Sequence, residues 1–102
     1  MDKNVPLEIQ QLIAHYRPER VILFGSHATG TARGDSDYDF LIIKETATRR
    51  LNRREEAMRN IRQSVALDLL ILTPSEVQFL RDIKSQFIEE IFEYGTLIYE
   101  RN

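Results

Sequence analysis

A chain of 102 residues, 42% hydrophobic and 29% charged, holds enough apolar material for one core, and a single domain over residues 1–102 is the expectation. It has no cysteine, which excludes a disulfide framework and a thiolate metal site, and its two histidines, His15 and His27, are too few for a His-rich zinc site. A formal net charge of −2 argues against a strongly basic nucleic-acid-binding surface, and no apolar run is long enough to span a bilayer.

Along the chain, Pro6 to Tyr16 places Ile9, Leu12, Ile13 and Tyr16 at helical spacing, with Pro18 preventing a long continuation. Val21-Ile22-Leu23-Phe24 is a short unbroken apolar run halted by Gly25, the pattern of a strand covered on both faces. Residues 25–36 are small, polar and glycine-rich, and predict a loop around one short helical turn. Asp37 to Lys44 reads as a second strand. Thr46 to Val65 predicts an amphipathic helix with Leu51, Met58, Ile61 and Val65 along one side, and six arginines make it the most basic segment. That run is read as a solvated face, with Glu55 and Glu56 offsetting part of its charge.

Ala66 to Leu72 predicts a third strand. Thr73-Pro74-Ser75-Glu76 then supplies a Thr cap, a proline at the first helical position and a Glu three residues after the cap. The helix so begun carries Val77, Leu80, Ile83, Phe87, Ile88, Ile91 and Phe92, breaks near Ser85 and ends at Gly95. Phe79, Phe87, Phe92 and Tyr94 are read as core or partner contacts, and His15 as having no chemical role. Thr96 to Glu100 closes the chain as an edge strand. The expected class is α/β: a small mixed sheet with helices packed on it.

Three features carry chemistry. Gly25-Ser26 directly follows a buried strand, where glycine admits close backbone approach and the next amides open a turn suited to phosphate; taken alone it is as readily an ordinary turn. In Asp37-Tyr38-Asp39, strand alternation puts both carboxylates on one face, roughly 7 Å apart, with Tyr38 on the other. Two such acids repel unless a cation sits between them; the alternative is a solvated loop ahead of the strand. Asp68 lies inside an otherwise apolar strand, so it either reaches the surface on an edge strand or is paired with a cation. With only oxygen donors at hand, that cation is Mg²⁺ or Mn²⁺.

The spacing Gly25-Ser26, ten residues, then Asp37-Tyr38-Asp39, with a later Asp68 in an apolar strand, resembles the DNA polymerase β-like nucleotidyltransferase superfamily. The short chain looks like a minimal nucleotidyltransferase of the antitoxin type found beside HEPN-domain toxins. The resemblance implies that Gly25 and Ser26 hold the terminal phosphates of a nucleoside triphosphate. It implies that Asp37 and Asp39 bind two Mg²⁺ ions, and that Asp68 joins Asp39 on the catalytic metal and acts as the general base. ATP is the implied donor, and a tyrosine hydroxyl of the partner toxin, in a hetero-oligomer, the implied acceptor. Where many relatives carry arginines after the Gly-Ser pair, this chain has His27 and Thr29; Arg33 is placed to supply the missing charge, or is a solvated loop residue.

A lone catalytic domain takes its acceptor from another chain, so protein nucleotidylation leads. A binding antitoxin without catalysis is the first alternative, and transfer to an aminoglycoside-like small molecule with a separate helical subunit the second. The absence of a hydrophobic leader makes the cytoplasm the expected compartment.

Overall fold

The computed structural model describes residues 5–102. Helix α1 spans Leu7–Tyr16, and its helically spaced Ile9, Leu12, Ile13 and Tyr16 are all buried, as their periodicity requires. The helix stops at Arg17, which turns left-handed at φ 55°. Four strands follow the expected order: β1 at Arg20–Phe24, β2 at Tyr38–Ile43, β3 at Leu67–Leu72 and β4 at Thr96–Glu100. They lie in the order β3-β2-β1-β4; β1 runs antiparallel to β2 and β4, and β2 parallel to β3, so the sheet is mixed.

Alternation along the strands divides the core in two. Val21, Phe40, Ile42, Leu67 and Ile71 pack with α1 on one face. Ile22, Leu41, Ile43 and Leu72 turn to the other face, where Val77, Ile88 and Ile91 meet them from helices α4 (Pro74–Asp82) and α5 (Gln86–Tyr94). The unbroken apolar runs of β1 and β2 therefore reflect a sheet buried on both sides. Between β1 and β2 the glycine-rich stretch holds one short helical turn, α2, at Ser26–Thr29.

Two expectations need correction. The helix expected over Thr46–Val65 is much shorter: α3 spans Arg50–Ala57. Asn60 adopts φ 64°, a left-handed conformation that asparagine tolerates better than most residues, and it takes the chain off the helical path. Ile61 and Val65 therefore never share a face with Leu51, which is 74% exposed. The buried side of α3 is instead Arg53 and Ala57, one turn apart, followed by Met58.

Arg53 is accordingly not part of a solvated arginine face. It is 6% exposed and fully engaged: Nε donates to the Thr48 carbonyl at 2.8 Å, and Nη1 to the Ile71 carbonyl at 3.0 Å and to Glu76 Oε1 at 2.6 Å. Glu76 also accepts from the Thr73 amide at 2.8 Å while its own amide donates to Thr73 Oγ1 at 3.1 Å, so the expected capping box is present and is anchored to α3. A buried acid, Glu8 of α1, accepts from the Ser64 amide (2.6 Å), the Ser64 hydroxyl (2.9 Å) and the Val65 amide (3.2 Å), latching the segment before β3 onto α1.

The end of α5 falls where expected, at Gly95. Gly95 ends it without a left-handed turn, its φ being −75°. Glycine is required there for space: a Cβ would collide with the Ile91 carbonyl and lie 2.8 Å from Ile22 Cγ2. The break between α4 and α5 falls where expected, at left-handed Lys84 and the capping position Ser85. Of the aromatic residues on these helices, Phe92 is half-buried beneath Arg81, whereas Phe79, Phe87 and Tyr94 are exposed.

Candidate active site

The end of β1 and the beginnings of β2 and β3 meet at one end of the sheet. In register, Phe24 of β1 stands opposite Asp39 of β2, and Asp39 opposite Asp68 of β3. Asp39 shares the parity of Leu41 and Ile43, and Asp68 that of Leu70 and Leu72, so both carboxylates project to the sheet face that carries α4 and α5. Asp37 has the same parity but precedes the strand and is exposed. Tyr38 turns to the opposite face and packs against the α1 core, as alternation requires.

Gly25 closes over this pair. It has φ 74° and ψ −156°, and a Cβ built on it would overlap Asp39 Oδ2 and lie 3.2 Å from Asp39 Cγ. The bare glycine backbone thus rests directly against the Asp39 carboxylate, which is the physical reason for glycine at the end of a buried strand. Ser26 begins α2, whose amides at Ala28 and Thr29 fold back onto the Gly25 carbonyl at 3.0 and 3.2 Å. The turn and the Asp39 carboxylate are therefore in contact although thirteen residues separate Gly25 from Asp39. Beside Gly25, on the α5 side, an open cleft of about 200 Å³ is walled by Phe24, Thr29, Phe87, Ile91 and Tyr94.

The Asp39 carboxyl is perturbed by its surroundings. Partial burial pushes the Asp39 carboxyl above its ordinary range; the negative charge of Asp68, a hydrogen bond shared with it, and Asp37 push the same way, against a smaller opposing pull from His27. Such crowding favours either a proton on Asp39 or a cation beside it. The donor set is all oxygen, which suits a hard divalent ion. Among the described residues, however, no three acidic or imidazole side chains stand together as a ready cation cage; the close pair is Asp39 and Asp68.

Two sequence expectations are changed by this geometry. Asp68 is exposed, because β3 is an edge strand, so a high cost of burying it does not arise; what marks Asp68 is its register with Asp39. Arg33 lies exposed in a turn formed with Ser36 (Arg33 N–H to Ser36 Oγ 2.9 Å, Ser36 N–H to Arg33 O 3.0 Å), away from any contact that ties it to the carboxylates. One participant was not foreseen: His27 stacks on Tyr38 with ring centroids 3.8 Å apart. Only the folded approach of α2 to β2 reveals that pair.

A mixed sheet with a Gly-Ser turn resting on register-paired aspartates is the arrangement of a nucleotidyltransferase. Residues 8–102 match the family described as "Polymerase beta, Nucleotidyltransferase", and the chain belongs to that family. It is 39% identical over 79 residues, covering 76% of this chain and 75% of the relative, to "Putative protein adenylyltransferase MJ0141" of Methanocaldococcus jannaschii. Solved structures share the fold at lower identity. A "putative nucleotidyltransferase" from Sulfolobus solfataricus superposes with a TM-score of 0.62 at 20% identity, over 93% of this chain and 76% of that one. A toxin-antitoxin structure with AMP-PNP superposes with a TM-score of 0.64 at 19% identity, over 94% of this chain and 73% of that one.

Proposed function

We propose that this nucleotidyltransferase transfers AMP from ATP to a hydroxyl, a tyrosine side chain, on a partner protein of the HEPN toxin type, and so acts as an antitoxin. The observation that carries the reading is the Asp39–Asp68 pair set in register beneath the Gly25 backbone. The name of the Methanocaldococcus relative supports adenylyl transfer to protein, and the toxin-antitoxin structure with AMP-PNP supports both an adenine nucleotide and a toxin partner.

In this reading Gly25 and Ser26 hold the β- and γ-phosphates, with Arg33 available to approach them from the loop. The close pair Asp39 and Asp68, joined by Asp37, would hold two Mg²⁺ ions, which would supply charge neutralisation for the triphosphate and the reacting oxygens. The acceptor hydroxyl attacks the α-phosphorus in line. A new O–P bond forms, the bridging P–O bond to the β-phosphate breaks, pyrophosphate leaves, and Asp68 takes the acceptor proton. The chain works as one domain in the cytoplasm, where ATP is plentiful. Among the described residues no helix is long and apolar enough to cross a membrane.

The test is intact-mass spectrometry of the protein encoded beside this one, co-expressed with wild type or with Asp37→Asn/Asp39→Asn. A mass gain of one or more adenylyl groups with wild type only is expected. No gain, with the double variant still protecting cells from the partner, would replace catalysis by neutralisation through binding.

A further inference from the structure

The two halves of the site are joined by a contact that neither the Gly-Ser pair nor the aspartates explain. His27 directly follows Ser26, and Tyr38 sits between Asp37 and Asp39. Their rings lie 3.8 Å apart and within 9° of parallel. Tyr38 in turn lies parallel to Phe40, at 6.3 Å and 10°, and Phe40 is completely buried. His27 has a second hold on the residues leading into that strand, its Nε2 being 3.0 Å from the Ser36 carbonyl.

These contacts matter because of what surrounds them. Between α2 and β2 the chain runs through Gly30, Thr31, Arg33, Gly34 and Asp35, all exposed. Such a loop has little packing of its own to fix the separation of its ends. The His27–Tyr38–Phe40 ladder ties the first turn of α2 through Tyr38 to the buried core, while on the opposite face of β2 Asp39 meets Gly25.

We infer that His27 and Tyr38 are positioning residues, an aromatic clasp that sets the distance between the Gly25-Ser26 turn and the carboxylates of β2. The inference rests on reading that turn as the holder of the triphosphate. Because the phosphates are gripped on one side and the α-phosphorus is attacked on the other, slack in the clasp displaces the reacting centre. A misplacement near 1 Å costs about 100-fold in rate. The clasp thus acts through kcat more than through the affinity for ATP.

The experiment compares wild type, His27→Ala, His27→Phe, Tyr38→Leu and His27→Ala/Tyr38→Leu, each purified in complex with the neighbouring-gene protein, by transfer of α-phosphate label from ATP with Mg²⁺. His27→Ala and Tyr38→Leu are each expected to lower kcat by about 10- to 100-fold with a smaller change in KM for ATP. The double variant should be no worse than either single, and His27→Phe, which keeps the stack, should recover most of the rate. Hydrogen exchange at the amides of residues 26–30 reads the clasp without catalysis and should rise about 10-fold in both single variants. Wild-type kcat in a folded His27→Ala, or losses that multiply in the double variant, overturns the clasp. So does unchanged exchange in His27→Ala, whether or not label is transferred. Wild type that transfers no label fails the nucleotidyltransferase reading of the site, and the exchange result then decides the clasp by itself.

Discussion

At Gly25 the difference between a hydrogen and a methyl group decides whether the turn can close on Asp39. The added Cβ of Gly25→Ala meets the carboxylate oxygen, and φ 74° is a conformation alanine resists. We expect this variant to fold and to lose about 100-fold or more in kcat, measured by steady-state transfer of label from ATP. Asp39 tests the electrostatics from the other side. Its raised carboxyl means that folding favours the neutral form, so this group's contribution is full at pH below the ordinary carboxylic range and is lost as pH rises through its raised folded value. At neutral pH the charged form therefore costs stability. Asp39→Asn should melt above wild type in EDTA at pH 7 while transferring nothing, and a lower midpoint would contradict this account of the site. Gly25, Asp37 and Asp39 could be singled out as candidates because a glycine after an apolar run and a two-residue strand period need no tertiary knowledge. Asp68 was picked out for a cost it does not bear, since nothing in its local sequence says that β3 lies at the edge.

At the scale of elements, α3 is held by a charge that its own sequence disguises. Arg53 sits in an arginine-rich run, yet it is the one that turns inward to Glu76, the capping-box partner of Thr73 in α4. The Arg53 guanidinium and the Thr73 amide hold the Glu76 carboxyl down to about 2, against the opposing effect of burial. With a depressed folded value, this contribution is complete above the ordinary carboxylic range near 4.5 and is lost as pH falls towards 2. The shift corresponds to roughly 3 kcal/mol. Glu8 acts in the same direction, because the hydrogen bonds from Ser64 and Val65 outweigh the burial that raises it. Denaturant unfolding of Glu76→Gln should therefore show a shallower loss of stability between pH 4.5 and 2 than wild type, with Glu8 supplying the remainder. An unchanged acid limb would mean that the bridge is not the coupling described. The element boundaries failed in sequence where a single backbone conformation decided them. α3 ends at Ala57 and left-handed Asn60 then turns the chain away, whereas α5 ended at Gly95 as expected, although the crowding by the Ile91 carbonyl and Ile22 that demands glycine there was not legible.

For the whole molecule, the division of labour is between a sheet buried on both faces and one open end where chemistry is arranged. The first was legible because β1, β2 and β3 are predominantly apolar runs and the intervening segments carry helical periodicity or cap signals. The second was legible only as a list of residue types at a spacing; their meeting depends on β2 and β3 running parallel in a register that aligns Asp39 with Asp68. No local feature of either strand encodes that register. The His27–Tyr38 stack and the exposure of Phe79, Phe87 and Tyr94 belong to the same class of fact, decided by how elements pack. The central claim is that this open end moves a nucleotidyl group to a partner protein, and it separates cleanly from phosphorylation by the fate of the two ends of ATP. The most direct measurement incubates the purified chain and the protein encoded beside it with Mg²⁺ and ATP labelled either in the α- or in the γ-phosphate. The account predicts that α-label alone becomes covalently attached to the partner, with release of pyrophosphate, and that Asp39→Asn abolishes it. Attachment of γ-label, or α-label that survives Asp39→Asn unchanged, would contradict it.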